Sequence, residues 1–162
     1  MKNVLLALIV AVFFLGCSKG EPIAVESKIV VGNSLETLEL NDQFGKPRSL
    51  SADTKKVIFA FSKDMGHMSN AFFDKKEPDF LAEHKAVFIA DVSGAPSLIR
   101  SMFIMPGLKE FKHPVLVTED EKVAASYCIQ ENSDKVMILD LDNFIIKNIR
   151  YATSEDELSK AL

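Results

Sequence analysis

Two sets of residues in this chain are equipped for chemistry: the soft donors Met65, His67 and Met68, and the cysteines Cys17 and Cys128. Thioether and imidazole ligands suit Cu(I). The donors crowd into one predicted loop, which therefore reads as a candidate copper site, with no other cofactor suggested. In the competing reading the methionines fill space over a sheet and His67 is solvated. Cys128 lies in the apolar run Ala124-Ala125-Ser126-Tyr127-Cys128-Ile129, with Lys122 as the nearest basic residue in sequence. A reactive thiolate needs a cation or a helix N-terminus beside it. This setting predicts a buried, inert thiol, with catalysis by Cys128 as the alternative.

Other constellations offer less. His67, His84 and His113 lack the i, i+4 spacing of a zinc pair. No glycine-rich phosphate loop follows a predicted strand, and Ser62, Ser69 and Ser93 sit in no nucleophile elbow. The runs Glu119-Asp120-Glu121 and Glu155-Asp156-Glu157 read as solvated turn and helix-start charges. Asp91 ends a predicted strand. That edge is where open α/β sheets bind ligands, although an aspartate there also caps the following turn.

The N-terminus decides where these groups operate. Lys2 gives a positive start, Val4 to Leu15 an apolar stretch, and Gly16 stands directly before Cys17. A bilayer span takes roughly 20 residues, so residues 1–16 read as a secretory signal. The pattern resembles a bacterial lipoprotein signal, in which the cysteine sulfur is lipidated. That resemblance implies lipid on Cys17, a tether over residues 17–31, and a place on the periplasmic side of a bacterial membrane. Simple cleavage and a soluble periplasmic domain is the alternative. Removing 16 of 162 residues leaves 146, enough for one domain. Without Lys2 the balance is 18 basic against 23 acidic residues, or −5, which argues against nucleic acid as a partner. With Cys17 lipidated, Cys128 has no disulfide partner, and stability must come from the core.

Leu35, Leu38 and Leu40, then Asn41 to Pro47, then Leu50 predict two short strands around a polar turn. Val57-Ile58-Phe59-Ala60-Phe61 and Ala86 to Ala90 suit strands buried on both faces. Between them a helix is expected from Ser69 as its cap, with Phe73, Phe80 and Leu81 inside and a kink at Pro78. Pro96 to Met105 predicts a helix whose apolar face is Leu98, Ile99, Met102 and Phe103, stopped by Pro106-Gly107. A strand at Pro114 to Thr118 and a helix at Glu121 to Tyr127 come next. A hairpin joins Lys135–Leu141 to Phe144–Tyr151 across Asp142-Asn143. The closing helix starts at about Ser154, with Glu155, Asp156 and Glu157 in its first turn. This order describes an α/β sandwich, a central mixed β-sheet flanked by helices.

The turn Leu40-Asn41-Asp42-Gln43-Phe44-Gly45-Lys46-Pro47 is similar to the opening hairpin of redoxin domains, the branch of the thioredoxin fold that includes peroxiredoxins. Phe111 to Leu116, Thr118-Glu119-Asp120, Val123-Ala124 and Tyr127-Cys128-Ile129 resemble a peroxiredoxin stretch, and Met137 to Asn143 resembles its terminal hairpin. The resemblance covers residues 32–162 and implies a thioredoxin-like domain of alkyl hydroperoxide reductase or thiol-specific antioxidant type. It places the catalytic cysteine just past Val57 to Phe61, where this chain has Ser62 to Asn70 and no cysteine. Asn132-Ser133-Asp134 stands where thioredoxins place a proline. Neither dithiol exchange nor a peroxidatic sulfenate can form in that loop. The expectation is a binding or accessory module of the bacterial cell envelope, not an enzyme, held to the membrane by its N-terminal lipid and acting on an unidentified envelope protein. The alternatives are an atypical antioxidant oxidoreductase using Cys128 and a periplasmic copper-binding protein using Met65, His67 and Met68.

Overall fold

Seven segments pair into one mixed sheet, the central ones rich in β-branched and aromatic residues: β1 (Glu39–Asp42), β2 (Pro47–Ser49), β3 (Lys56–Ala60), β4 (Ala86–Asp91), β5 (Leu116–Thr118), β6 (Val136–Asp142) and β7 (Ile145–Ala152). The computed structural model describes residues 25–162, so the expected signal, Cys17 and most of the tether lie outside the described residues. Strand order is β2-β1-β5-β4-β3-β6-β7. β3, β4 and β5 run parallel at the centre, with Ile58 opposite Phe88, and every other pair is antiparallel. Neighbouring residues on a strand point to opposite faces. Ile58, Phe88 and Ile138 thus enter one core with Phe73 and Leu158, while Phe59, Ile89 and Leu139 enter the other with Tyr127 and Leu38. This is the expected α/β sandwich.

The helices around it are α1 (Lys63–Asp74), α2 (Phe80–Glu83), α3 (Ser97–Ile99), α4 (Met105–Lys109), α5 (Glu121–Tyr127) and α6 (Glu155–Ala161). The expected starts of α5 and α6 agree with the caps. Asp120 accepts from the Lys122 and Val123 N–H groups, and Ser154 from that of Glu157. Among the described residues no helix is long and apolar enough to cross a membrane.

Four expectations are corrected. The helix after β3 begins at Lys63, because Ser62 is extended and its Oγ accepts the Met65 N–H at 3.3 Å. The presumed loop is therefore the first two turns of α1, and Ser69 is a fully buried residue inside it. The helix after β4 also does not stop at Pro106-Gly107. Residues Arg100–Ile104 widen into a π-helical turn between α3 and α4, which accommodates the proline ring where an α-turn would clash. Its supposed inner face is outside: Leu98 is 64%, Met102 58% and Phe103 62% exposed, while Leu108 is buried and Ile104 and Met105 pack on the core. The hairpin turns on Asn143 and Phe144, both at positive φ, one residue later than expected. Ahead of Gly32, the Lys28 N–H donates to the Ser126 carbonyl and Ile29 is buried.

Replacing Ser62 with alanine should cost about 1 kcal/mol, the usual value of a lost N-cap. Ser69→Ala should be neutral or stabilising, since its buried Oγ has no partner. Urea unfolding of the two variants checks this, and the reverse ranking would restore the helix start at Ser69.

Candidate functional site

Parallel strands deliver the chain to the same sheet edge, and here the carboxyl ends of β3 and β4 open onto a cleft of ≈ 750 Å³. One wall is α1, which contributes Lys63, Gly66, His67 and Asn70. The other is the helical run 97–109, which contributes Ile99, Phe103, Ile104 and Gly107. Phe61 and Asp91, at the strand ends, and Phe111 complete a mostly apolar lining.

A buried polar chain braces this cleft from behind. His113 is 2% exposed and its Nε2–H donates to Asn70 Oδ1 at 3.0 Å. The direction follows from Asn70, whose amide nitrogen is committed to the Gly66 carbonyl at 2.9 Å. Phe111 stacks on the imidazole at 5.2 Å and Phe73 approaches at 5.5 Å. Gln43 completes the clamp, donating to the His113 carbonyl and accepting from the Val115 N–H. Burial lowers the His113 pKa from 6.5 to about 4, against a weaker opposing pull from Asp74. In the sequence His113 is only one of three histidines without the spacing of a zinc pair. Its one clue was a histidine within the strand-entry run Phe111 to Leu116.

The expected site residues separate in space. Met65 and Met68 pack on the core, whereas His67 is exposed and lines the cleft. At 3.6 residues per turn, His67 stands about 200° around α1 from Met65. The folded chain therefore does not bring the copper trio together. Asp91 has both expected features: its Oδ1 accepts from the Ser93 N–H and the Thr118 hydroxyl, each at 2.9 Å, and it also faces the cleft.

Cys128 is buried, as its apolar surroundings predicted, but it is not remote. It borders a recess of ≈ 370 Å³ that shares Phe61 and Asp91 with the cleft. Burial pushes its pKa from 9.0 up to about 11, and the carboxylates of Asp91 and Glu131 add to the effect. Proximity to the sheet edge has thus come with suppression of the thiolate. Cys17 lies outside the described residues.

No protein-family model matches the chain, and no curated protein matches it. Among solved structures it is similar to a Bacteroides thetaiotaomicron protein with a provisional disulfide-isomerase name: TM-score 0.51, 16% identity, covering 85% of this chain and 86% of that one. It is also similar to the exposed lipoprotein thioredoxin of Streptococcus pneumoniae, at TM-score 0.50 and 18% identity, over 76% of this chain and 95% of that one. The fold is thioredoxin-like. In this thioredoxin-like chain Ser62 stands two positions past the end of β3, and its hydroxyl is occupied in capping α1.

The neutral burial of His113 has a pH consequence. The unfolded chain takes up a proton near pH 6.5 and the folded one near pH 4, so stability from this group is complete above about pH 6.5 and falls as pH drops toward 4. The full loss is about 3 kcal/mol at most. His113→Leu should be less stable at pH 7 yet lose less between pH 7 and pH 4.5. Urea midpoints at the two pH values check this, and parallel losses in both proteins would count against it.

Proposed function

We propose that this protein acts by binding at the carboxyl edge of its sheet and not by thiol exchange. It is a thioredoxin-like module of the redoxin branch, exported, and held by lipid on Cys17 to the periplasmic side of a bacterial membrane, where its partner is an envelope protein. The observation that carries the reading is the pair formed by a serine cap at the redox position and an open apolar cleft beside it. The suppressed Cys128 thiol supports it. The lipoprotein name of the similar pneumococcal thioredoxin is consistent with the anchor. No cofactor is required. Copper binding by Met65, His67 and Met68 would demand unwinding of the first turns of α1, and an antioxidant role for Cys128 would demand a thiolate that its surroundings disfavour.

A two-unit rise in pKa lowers the thiolate fraction about 100-fold near neutral pH. A thiol reagent should therefore label Cys128 at least that much more slowly in the folded protein than in urea, and Cys128→Ser should still capture the same envelope partners. Fast labelling of the folded chain, with peroxide consumption that Cys128→Ser abolishes, would make it an enzyme. Labelled palmitate should enter the wild type and not Cys17→Ser, whereas equal incorporation would remove the anchor.

A further inference from the structure

Glycine inside a helix is less stable than alanine, so a helical glycine needs a reason. The turn glycines Gly32 and Gly45 have a backbone reason, since their φ angles of +97° and +77° disfavour any side chain. Gly66 in α1, Gly107 in α4 and Gly94 after β4 do not: their φ angles are ordinary and a Cβ built on each meets nothing within 4 Å. All three line the one cleft at the end of β3 and β4. Neither backbone geometry nor packing demands glycine at these three positions, and a side chain at any of them would stand in open space at the lining of the cleft.

We propose that this glycine-walled cleft is a binding site for an anionic amphiphile, a molecule with an acyl or aryl body and a carboxylate head. The proposal rests on the binding reading above and names the ligand class of that same site. The rings of Phe61, Phe103 and Phe111, with Ile99 and Ile104, supply an apolar bed, and ≈ 750 Å³ lies in the range that takes small organic ligands. Charge orients the occupant. Lys63 and His67 stand one turn apart on the α1 wall, at the positive end of a 12-residue helix. The acidic group of the lining, Asp91, is tied to Ser93 and Thr118 at the strand end, so it disfavours an anion there and directs the head toward α1. Exposed Ile99 and Phe103, otherwise an unfavourable display of apolar surface, become part of the bed when it is filled.

The test titrates decanoate, and decanol as the uncharged control, into the full chain carrying Cys17→Ser, so that no covalent lipid competes. Decanoate should bind at one site, more tightly than decanol, and Lys63→Ala should remove that preference while leaving decanol unchanged. Gly107→Leu places four carbons in the cleft and should weaken both by at least about tenfold with unchanged circular dichroism. Should that variant not fold, Gly66→Ala/Gly107→Ala serves: its urea midpoint should rise while decanoate affinity falls. Absence of saturable decanoate binding, or binding that the glycine variants leave unchanged, would overturn the proposal. Decanoate failure with an inert Cys128 removes the ligand class alone, whereas rapid Cys128 labelling removes the binding reading and leaves the decanoate result standing.

Discussion

The interaction on which the site depends is the hydrogen bond from the Met65 N–H to Ser62 Oγ. A helix starting at a sheet edge presents free N–H groups, and a thiolate placed there would be stabilised by them. Here a hydroxyl takes that role. Because the cap sets α1 to begin at Lys63, it also sets the rotation of everything after it. Met65, Met68 and Phe72, spaced i, i+3 and i+7, turn toward the core, and Lys63 and His67 turn toward the cleft.

The facing wall follows from a second constraint. Arg100 is held by three carbonyls, those of Val92, Ser93 and Ala95, each at 3.3 Å. This pins the start of the helical run to the loop after β4. Further along, Leu108 must reach the core. The π-helical turn reconciles the two ends across Pro106, and its consequence is that Ile99 and Phe103 face outward beside the cleft.

Much of the fold was legible because it follows from local chemistry. Two-residue alternation and continuous apolar runs marked β3, β4, β6 and β7, Ser154 marked the start of α6, and the run Glu121 to Tyr127 marked α5, whose cap is Asp120. The site was less legible, for reasons that are also physical. Periodicity reveals which residues share a face but not which face meets the core, and Leu98, Ile99, Met102 and Phe103 do share a face, the exposed one. Methionine packs and ligates with the same side chain, so Met65 and Met68 could be read as donors when they were the inner stripe of α1. Crossover topology, invisible in a linear chain, brought Cys128 beside Phe61.

The distribution of unfavourable features points to the same edge. At the opposite end of β3 the polar groups are well satisfied: Asp140 bonds Lys56 and Arg150, and Arg150 also reaches the Ala161 carbonyl. Burial alone would raise the Asp140 pKa, yet these cations hold it below its ordinary value. At the carboxyl end the balance reverses. There the chain keeps helical glycines without a backbone need, a π-helical turn, exposed Phe103, and in the packing behind them the unpartnered Nδ1 of His113 and Oγ of Ser69. Each departs from what local stability favours, and sequences that fold to one structure concentrate such departures where function is exercised. The two ends of β3 thus differ in kind: one is closed by paired charges, and the other keeps its departures around an open, mostly apolar cleft.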